Sequence, residues 1–358
     1  MNSDSANAAK REAPGKTGFE SAMQETRRLV QSALSGMGSG SPASSGLGEL
    51  TAYLAQSAGK GMRTRLLLSA AMDEKGLVPA SAAKAAAALE LLHMATLAHD
   101  DVIDGADTRR GRATLHKKFG NKSAILCGDY LLSLSLTMLA GMEMAKGETL
   151  EAHARLSARF AKALASICHG EYSQHVNVGN VDIALLTYLR VIGGKTAALF
   201  YIAAFMGALL GGETEEKALA LGSFGRRLGM AFQIADDCKD YEQSEADAQK
   251  PVGNDLKNGV VTLPLILAMR KNPLLRKQAL AAMKSEAGAA IALTQAQVLA
   301  QVLAQVREAQ GPEMARNMAR RFEKKAAKIL AGLPARKREA LLEILRSALR
   351  KDAQKTLQ

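Results

Sequence analysis

The sequence predicts an all-α fold, a single large bundle of long helices around a central cavity, and three observations predict it. Ala, Leu, Met, Lys, Glu and Arg dominate, and aromatic residues make up only 4% of the 358-residue chain, so helix formers prevail. No long period-two alternation of Val, Ile and Thr appears, so strand signals are few. Two apolar helical runs end in aspartate clusters, Asp100, Asp101 and Asp104, then Asp236, Asp237 and Asp240. Two such patches facing each other need a cavity between them. With 47% hydrophobic residues the chain can bury a core of that size.

Taken in order, residues 1–17 are polar and small, have little to bury and are expected to be disordered, ahead of a helical domain over 18–358. A helix is expected over 18–34, a Gly/Ser linker over 35–48 and a second helix over 49–57. The stretch GKGMRTR sets Lys60, Arg63 and Arg65 beside glycines, where cations and backbone N–H groups can hold phosphate.

A helix over 80–104 carries the first aspartates. At about 100° per residue Asp100 and Asp104 lie one turn apart on one face with Asp101 at their edge, and His93 and Leu97 fall on the same stripe. Like charges at that spacing repel unless water or a cation compensates them. Hard divalent cations with oxygen ligands meet the need. Arg109, Arg110 and Arg112 follow directly, suited either to grip a polyanion beside the metal or to pair with the aspartates.

Helices are expected over 123–144, 149–174 and 181–210, the last interrupted at Gly193-Gly194-Lys195-Thr196. Two glycines inside a helix cost about 1 kcal/mol each, which marks a kink turned toward the cavity. The helix over 214–241 ends in the second cluster. The Pro- and Gly-rich stretch 249–266, with Lys250, Asp255 and Lys257, forms a loop over it. Amphipathic helices then run to the end, broken near Pro273, Gly288, Gly311 and Pro334.

Composition limits the partners. The net charge of +12 is concentrated late, where residues 301–358 hold 14 Lys and Arg against 6 Asp and Glu. No zinc-finger or RNA-binding signature accompanies it, so a solvated helical face is expected and no nucleic-acid partner. Diphosphate substrates or an anionic membrane surface suit the remaining charge. Cys127, Cys168 and Cys238 show no metal-ligand spacing or disulfide framework, and the N-terminus lacks a secretory core, so a reduced cytoplasmic location is expected. The longest charge-free apolar run, 196–212, is short for a membrane span and contains three glycines.

LLHMATLAHDDVID followed by RRG, GGKTAALF, FQIADDCKD and KPVGNDLKNGVVTLP, in that order over residues 50–270, resemble the trans-isoprenyl diphosphate synthases. The resemblance implies the isoprenoid synthase fold and head-to-tail condensation of isopentenyl diphosphate onto an allylic prenyl diphosphate. It implies three Mg²⁺ ions held by Asp100, Asp101, Asp104, Asp236 and Asp240, with Asp237 in the second cluster. Arg109, Lys195 and Lys250 would hold the allylic diphosphate, and Lys60, Arg63, His93 and Arg110 the isopentenyl diphosphate, with Thr196 and Gln233 beside the reacting carbons. The chain departs from the family where Gly61 replaces an arginine of the G-G-K-R-x-R-P pattern and where Val260 replaces a lysine. Ala95, five residues before the first aspartate, stands where short-chain members carry an aromatic. A medium or long product follows, about C30 or longer, of the kind used as a quinone tail. A homodimer is expected, with at most peripheral membrane contact for product release. Short-chain synthesis, terpene cyclisation and a non-catalytic partner subunit are the alternatives within this frame.

Overall fold

A computed structural model describes residues 16–35, 42–55, 61–109, 111–142, 150–242, 253–283 and 289–349. Among them are sixteen α-helices and two very short two-stranded ribbons. In chain order, strand β1 (Lys16–Gly18) leads into α1 (Phe19–Ser35), α2 (Pro42–Ala55) and α3 (Met62–Ala71). Strand β2 (Leu77–Pro79) pairs antiparallel with β1, and α4 (Ala80–Ile103) follows. A hairpin of β3 (Thr108–Arg109) and β4 (Arg112–Ala113) precedes α5 (Leu115–Phe119), α6 (Asn121–Ala140) and α7 (Leu150–His175). Then come α8 (Leu185–Lys195), α9 (Ala197–Leu210), α10 (Glu215–Glu242) and the single turn α11 (Asn254–Lys257). The chain closes with α12 (Leu263–Lys271), α13 (Leu275–Met283), α14 (Ala289–Glu308), α15 (Gly311–Ile329) and α16 (Ala335–Leu349).

Helix α9 is the axis of the bundle. Its residues from Ala197 to Ala208 are buried save Tyr201, and it packs on α3, α7 and α10. A helix apolar all round belongs inside, which accounts for the charge-free run in the sequence. Its neighbours come in closely at glycine: a Cβ on Gly225 of α10 would meet the Phe200 carbonyl, and one on Gly207 would meet the Leu67 carbonyl of α3. Around this axis, α4 pairs with α6, and α10 packs against α15, which also covers α12. Three core clusters result, one around α9 and α3, one beneath α10 to α15, and one between α4, α6 and the first two helices.

Two expectations are corrected. Lys16 and Thr17 belong to β1 instead of a disordered tail, and an ion pair of Lys16 Nζ with Asp73 at 3.0 Å ties the ribbon down; the rest of that tail, residues 1–15, lies outside the described residues. Helix α2 begins at Pro42 within the stretch read as a linker, proline being suited to a first helical turn. The break in the 181–210 helix is present, with an angle of 48° between α8 and α9 across Thr196.

Candidate active site

The first cluster stands at the C-terminal end of α4, where Gly105 (φ +59°) stops the helix. That end carries the negative pole of the helix dipole, about half an elementary charge. The second cluster stands at the matching end of α10. Carboxylates at that pole are unfavourable twice over, by mutual repulsion and by the dipole, and need cations nearby.

The cluster members have different surroundings. Asp101 is buried and accepts a hydrogen bond from Arg109 Nε at 2.7 Å, so the pairing of hairpin arginine with aspartate is realised here for Arg109. Asp100 is part-buried and Asp104 exposed. Burial lifts the Asp100 carboxyl to about 7; Glu171 pushes the same way and Lys195 opposes. In the second cluster Asp236 is exposed and pairs with Lys239 at 2.9 Å. Asp237 is buried, and burial lifts it to about 7 against hydrogen bonds from Tyr188 and Gln233. Asp240 accepts the backbone N–H groups of Gly253, Asn254 and Asp255 at 3.0–3.1 Å, so it anchors the loop that follows the cluster.

Lys195 joins the two sides. Burial lowers its pKa, but Glu171, at 2.8 Å, and the charges of Asp100 and Asp104 outweigh that and raise it. Lys195 in turn acts on Asp255, which burial and the aspartates of the second cluster hold well above the carboxylate range. One ammonium is thus within electrostatic reach of Asp100 and Asp104 at the end of α4 and of Asp255 in the turn that Asp240 anchors to the end of α10. The position follows from backbone geometry. A Cβ on Gly194 would come 2.5 Å from the Ser166 carbonyl and 3.0 Å from the Gly170 Cα, so the glycines let α8 lie against α7 and bring Glu171 to Lys195.

Beside Lys195, the Thr196 hydroxyl donates to Gln233 Oε1 at 2.6 Å. On the other flank of α4, Arg63 Nη1 lies 3.0 Å from His93 Nε2 and its guanidinium stacks 4.9 Å over the Phe200 ring. His93, Leu97, Asp101, Arg109 and Arg112 line one pocket between α4 and the hairpin. His93 and Asp100 therefore share a helical stripe, but His93 opens on that pocket beside Arg63 and Arg109. Ala95 is buried in the α4/α6 core with Ala98 and Cys127. Lys60, Arg110 and Lys250 lie outside the described residues.

Three residues of the site had no place among those singled out in the sequence for chemistry. Glu171 and Tyr188 lie in helices distant in sequence from both aspartate clusters, and only the Gly170–Gly194 contact, invisible in one dimension, brings Glu171 in. Asp255 belongs to the stretch read as a covering loop, and its neighbours Asp236, Asp237 and Asp240 give it a part in the acidic site.

The donor set fits Mg²⁺. Asp100, Asp104 and Asp236 offer hard oxygen donors, exposed at Asp104 and Asp236 and part-buried at Asp100, and the raised carboxyls describe a site short of positive charge. Among the described residues no three His, Cys, Asp or Glu side chains converge on one point. Mg²⁺ held by one or two carboxylates, water and substrate phosphates needs no such convergence.

Comparison with known proteins places this geometry. Over 224 residues the chain is 37% identical to the octaprenyl diphosphate synthase of Haemophilus influenzae, a match covering 63% of this chain and 65%, just under two thirds, of that protein. It is 39% identical over 245 residues to heptaprenyl diphosphate synthase component 2 of Geobacillus stearothermophilus, covering 68% of this chain and 72% of that one. The crystal structure of heptaprenyl diphosphate synthase from Staphylococcus aureus superposes with a TM-score of 0.79 at 30% identity, over 93% of this chain and 98% of that one. A family model described as polyprenyl synthetase matches residues 44–320, a span that takes in both acidic helix ends, the α8/α9 break and the anchored loop, and the chain belongs to that family.

Proposed function

We propose that the protein is a trans-polyprenyl diphosphate synthase, joining isopentenyl diphosphate head to tail to an allylic prenyl diphosphate. The observation that carries this is Lys195, paired with Glu171 and set between Asp100 and Asp104 at the end of α4 and Asp255 in the turn that Asp240 anchors to the end of α10. Three Mg²⁺ ions held by Asp100, Asp101 and Asp104 on one side and by Asp236 and Asp240 on the other would supply the charge for binding and releasing a diphosphate. Lys195, Arg109 and Lys250 hold the same diphosphate and orient its allylic end toward Thr196 and Gln233. Arg63 and His93, with Lys60 and Arg110, hold the second diphosphate alongside. No covalent nucleophile is required: positioning and electrostatics supply the rate.

A product of about C30 or longer is supported by Ala95, a small side chain buried in the α4/α6 core where short-chain members of the family carry an aromatic. Ala95→Phe is expected to shorten the product distribution, and unchanged lengths would place the limit elsewhere. Mass analysis of products from the purified chain with Mg²⁺ and the two substrates tests the activity, and activity without any second component tests whether the chain works alone. Asp100→Ala and Asp236→Ala are each expected to lower kcat by about 10²-fold or more, the scale of losing one preorganised electrostatic group. Near wild-type turnover in both variants would sink the assignment.

The same reading makes the protein a cytoplasmic homodimer that touches membrane only peripherally, when a long product leaves. The exposed cations Arg321, Lys324, Lys325 and Lys328 along α15 support such contact with anionic lipid. Fractionation of cells at low and high salt tests it, since attraction of this kind fades with screening.

A further inference from the structure

The hydrogen bond from Thr196 to Gln233 is one link of a longer series. Gln233 Nε2 donates to Asp237 Oδ1 at 2.8 Å, and the Tyr188 hydroxyl donates to Asp237 Oδ2 at 2.5 Å. Tyr188 and Asp237 are 3% and 5% exposed, whereas the side chain of Asp236, the neighbouring aspartate, is 50% exposed. The series runs from α8 through α10 and returns to the α8/α9 break.

Its sense is dictated by chemistry. Both Asp237 oxygens accept, Oδ2 from the Tyr188 hydroxyl and Oδ1 from Gln233 Nε2, so the Gln233 amide has its NH₂ turned to Asp237. Its carbonyl then faces Thr196, and the Thr196 hydroxyl must donate to it, as observed. The Thr196 proton is committed, and only oxygen lone pairs are left for whatever lies beside Lys195.

We propose that Tyr188 is a positioning residue: by holding Asp237 it fixes the Gln233 amide and, through it, makes Thr196 present lone pairs instead of a proton to the allylic substrate as positive charge develops there. This rests on the prenyl-transfer reading above. Acceptor dipoles set in advance where positive charge forms cost no reorganisation during the reaction. In this reading Asp237 serves the series, each of its oxygens accepting one hydrogen bond, from Tyr188 or from Gln233.

The test is a cycle of Tyr188→Phe, Thr196→Val and the double variant, assayed for kcat, both KM values, half-saturating Mg²⁺ and Tm. Tyr188→Phe should lower kcat roughly tenfold, the scale of a hydrogen bond to a charged group, and leave both KM values and the Mg²⁺ requirement unchanged. The double variant should be no slower than Thr196→Val alone, because the tyrosine acts through that hydroxyl. Additive losses, or a raised Mg²⁺ requirement in Tyr188→Phe, would overturn the proposal. If Tyr188→Phe does not fold, Asp237→Asn enters the same cycle, since its amide can donate to Gln233 and reverse the series; additivity there overturns the proposal equally. A wild-type protein that forms no longer product overturns the prenyl-transfer reading and this one with it, a result distinct from additive losses in an active enzyme.

Discussion

At Asp100, function and stability pull in opposite directions. Burial raises its carboxyl from the ordinary 3.8 to about 7. Between about pH 4 and 7 the unfolded chain has released this proton while the folded chain retains it, so the group's contribution to stability falls as pH rises through that window. Asp237, also lifted to about 7, acts with the same sign. In metal-free protein Asp100→Asn, neutral at every pH, should therefore raise Tm at pH 8 by a few degrees, the equivalent of about 1 kcal/mol, and should change it little at pH 4, while prenyl transfer falls. Thermal unfolding in EDTA at the two pH values checks this; equal shifts at both would show that Asp100 carries no such burden. The aspartates were legible because repulsion at i,i+4 spacing is a property of the sequence itself. Glu171 and Tyr188 were not, because what gives each meaning is a partner 24 or more residues away.

Among the elements, the contact of α7 with α8 decides where Lys195 stands. The glycine pair before Lys195 did forecast an interruption, and α8 and α9 meet at 48°. The bend falls at Thr196, while Gly194 serves a helix-to-helix approach that periodicity does not reveal. Two magnitudes then compete at Gly194→Ala. Helix propensity favours alanine by about 1 kcal/mol, whereas a Cβ 2.5 Å from the Ser166 carbonyl must push two helices apart, an overpacking cost of about 1–3 kcal/mol. The contact is with backbone, which cannot rotate away, so the second effect should win. Gly194→Ala is expected to lower Tm and, by parting Lys195 from Glu171, to raise KM for the allylic diphosphate. A variant more stable than wild type would show that the two helices spread at no cost. Helix α3 was hidden for a related reason: GKGMRTR was read for its cations, and the run that buries Leu66, Leu67 and Leu68 begins inside it.

For the whole molecule, the question is what covers α6. By length and composition it could cross a membrane, with a mean hydropathy of 1.5, and only 33% of its most apolar window is buried. One side packs on α4 through Ala124, Cys127 and Leu131; the other turns Ile125, Leu126 and Leu136 outward, with Asp129 and Ser133 between them. A carboxylate in the middle of that face, Asp129, 61% exposed beside His99 at 3.3 Å, suits another protein surface better than lipid. Two copies meeting about a twofold axis present the same apolar stripe to each other, and a stable pair buries about 1,600 Å² in all, within reach of a 20-residue helix and its neighbours. Ile125→Arg together with Leu126→Glu should then convert the proposed dimer to monomer in light scattering without loss of helical content, because neither side chain contributes to the α4/α6 core. If mass and sedimentation remain those of the wild type, α6 is not the surface through which two copies associate.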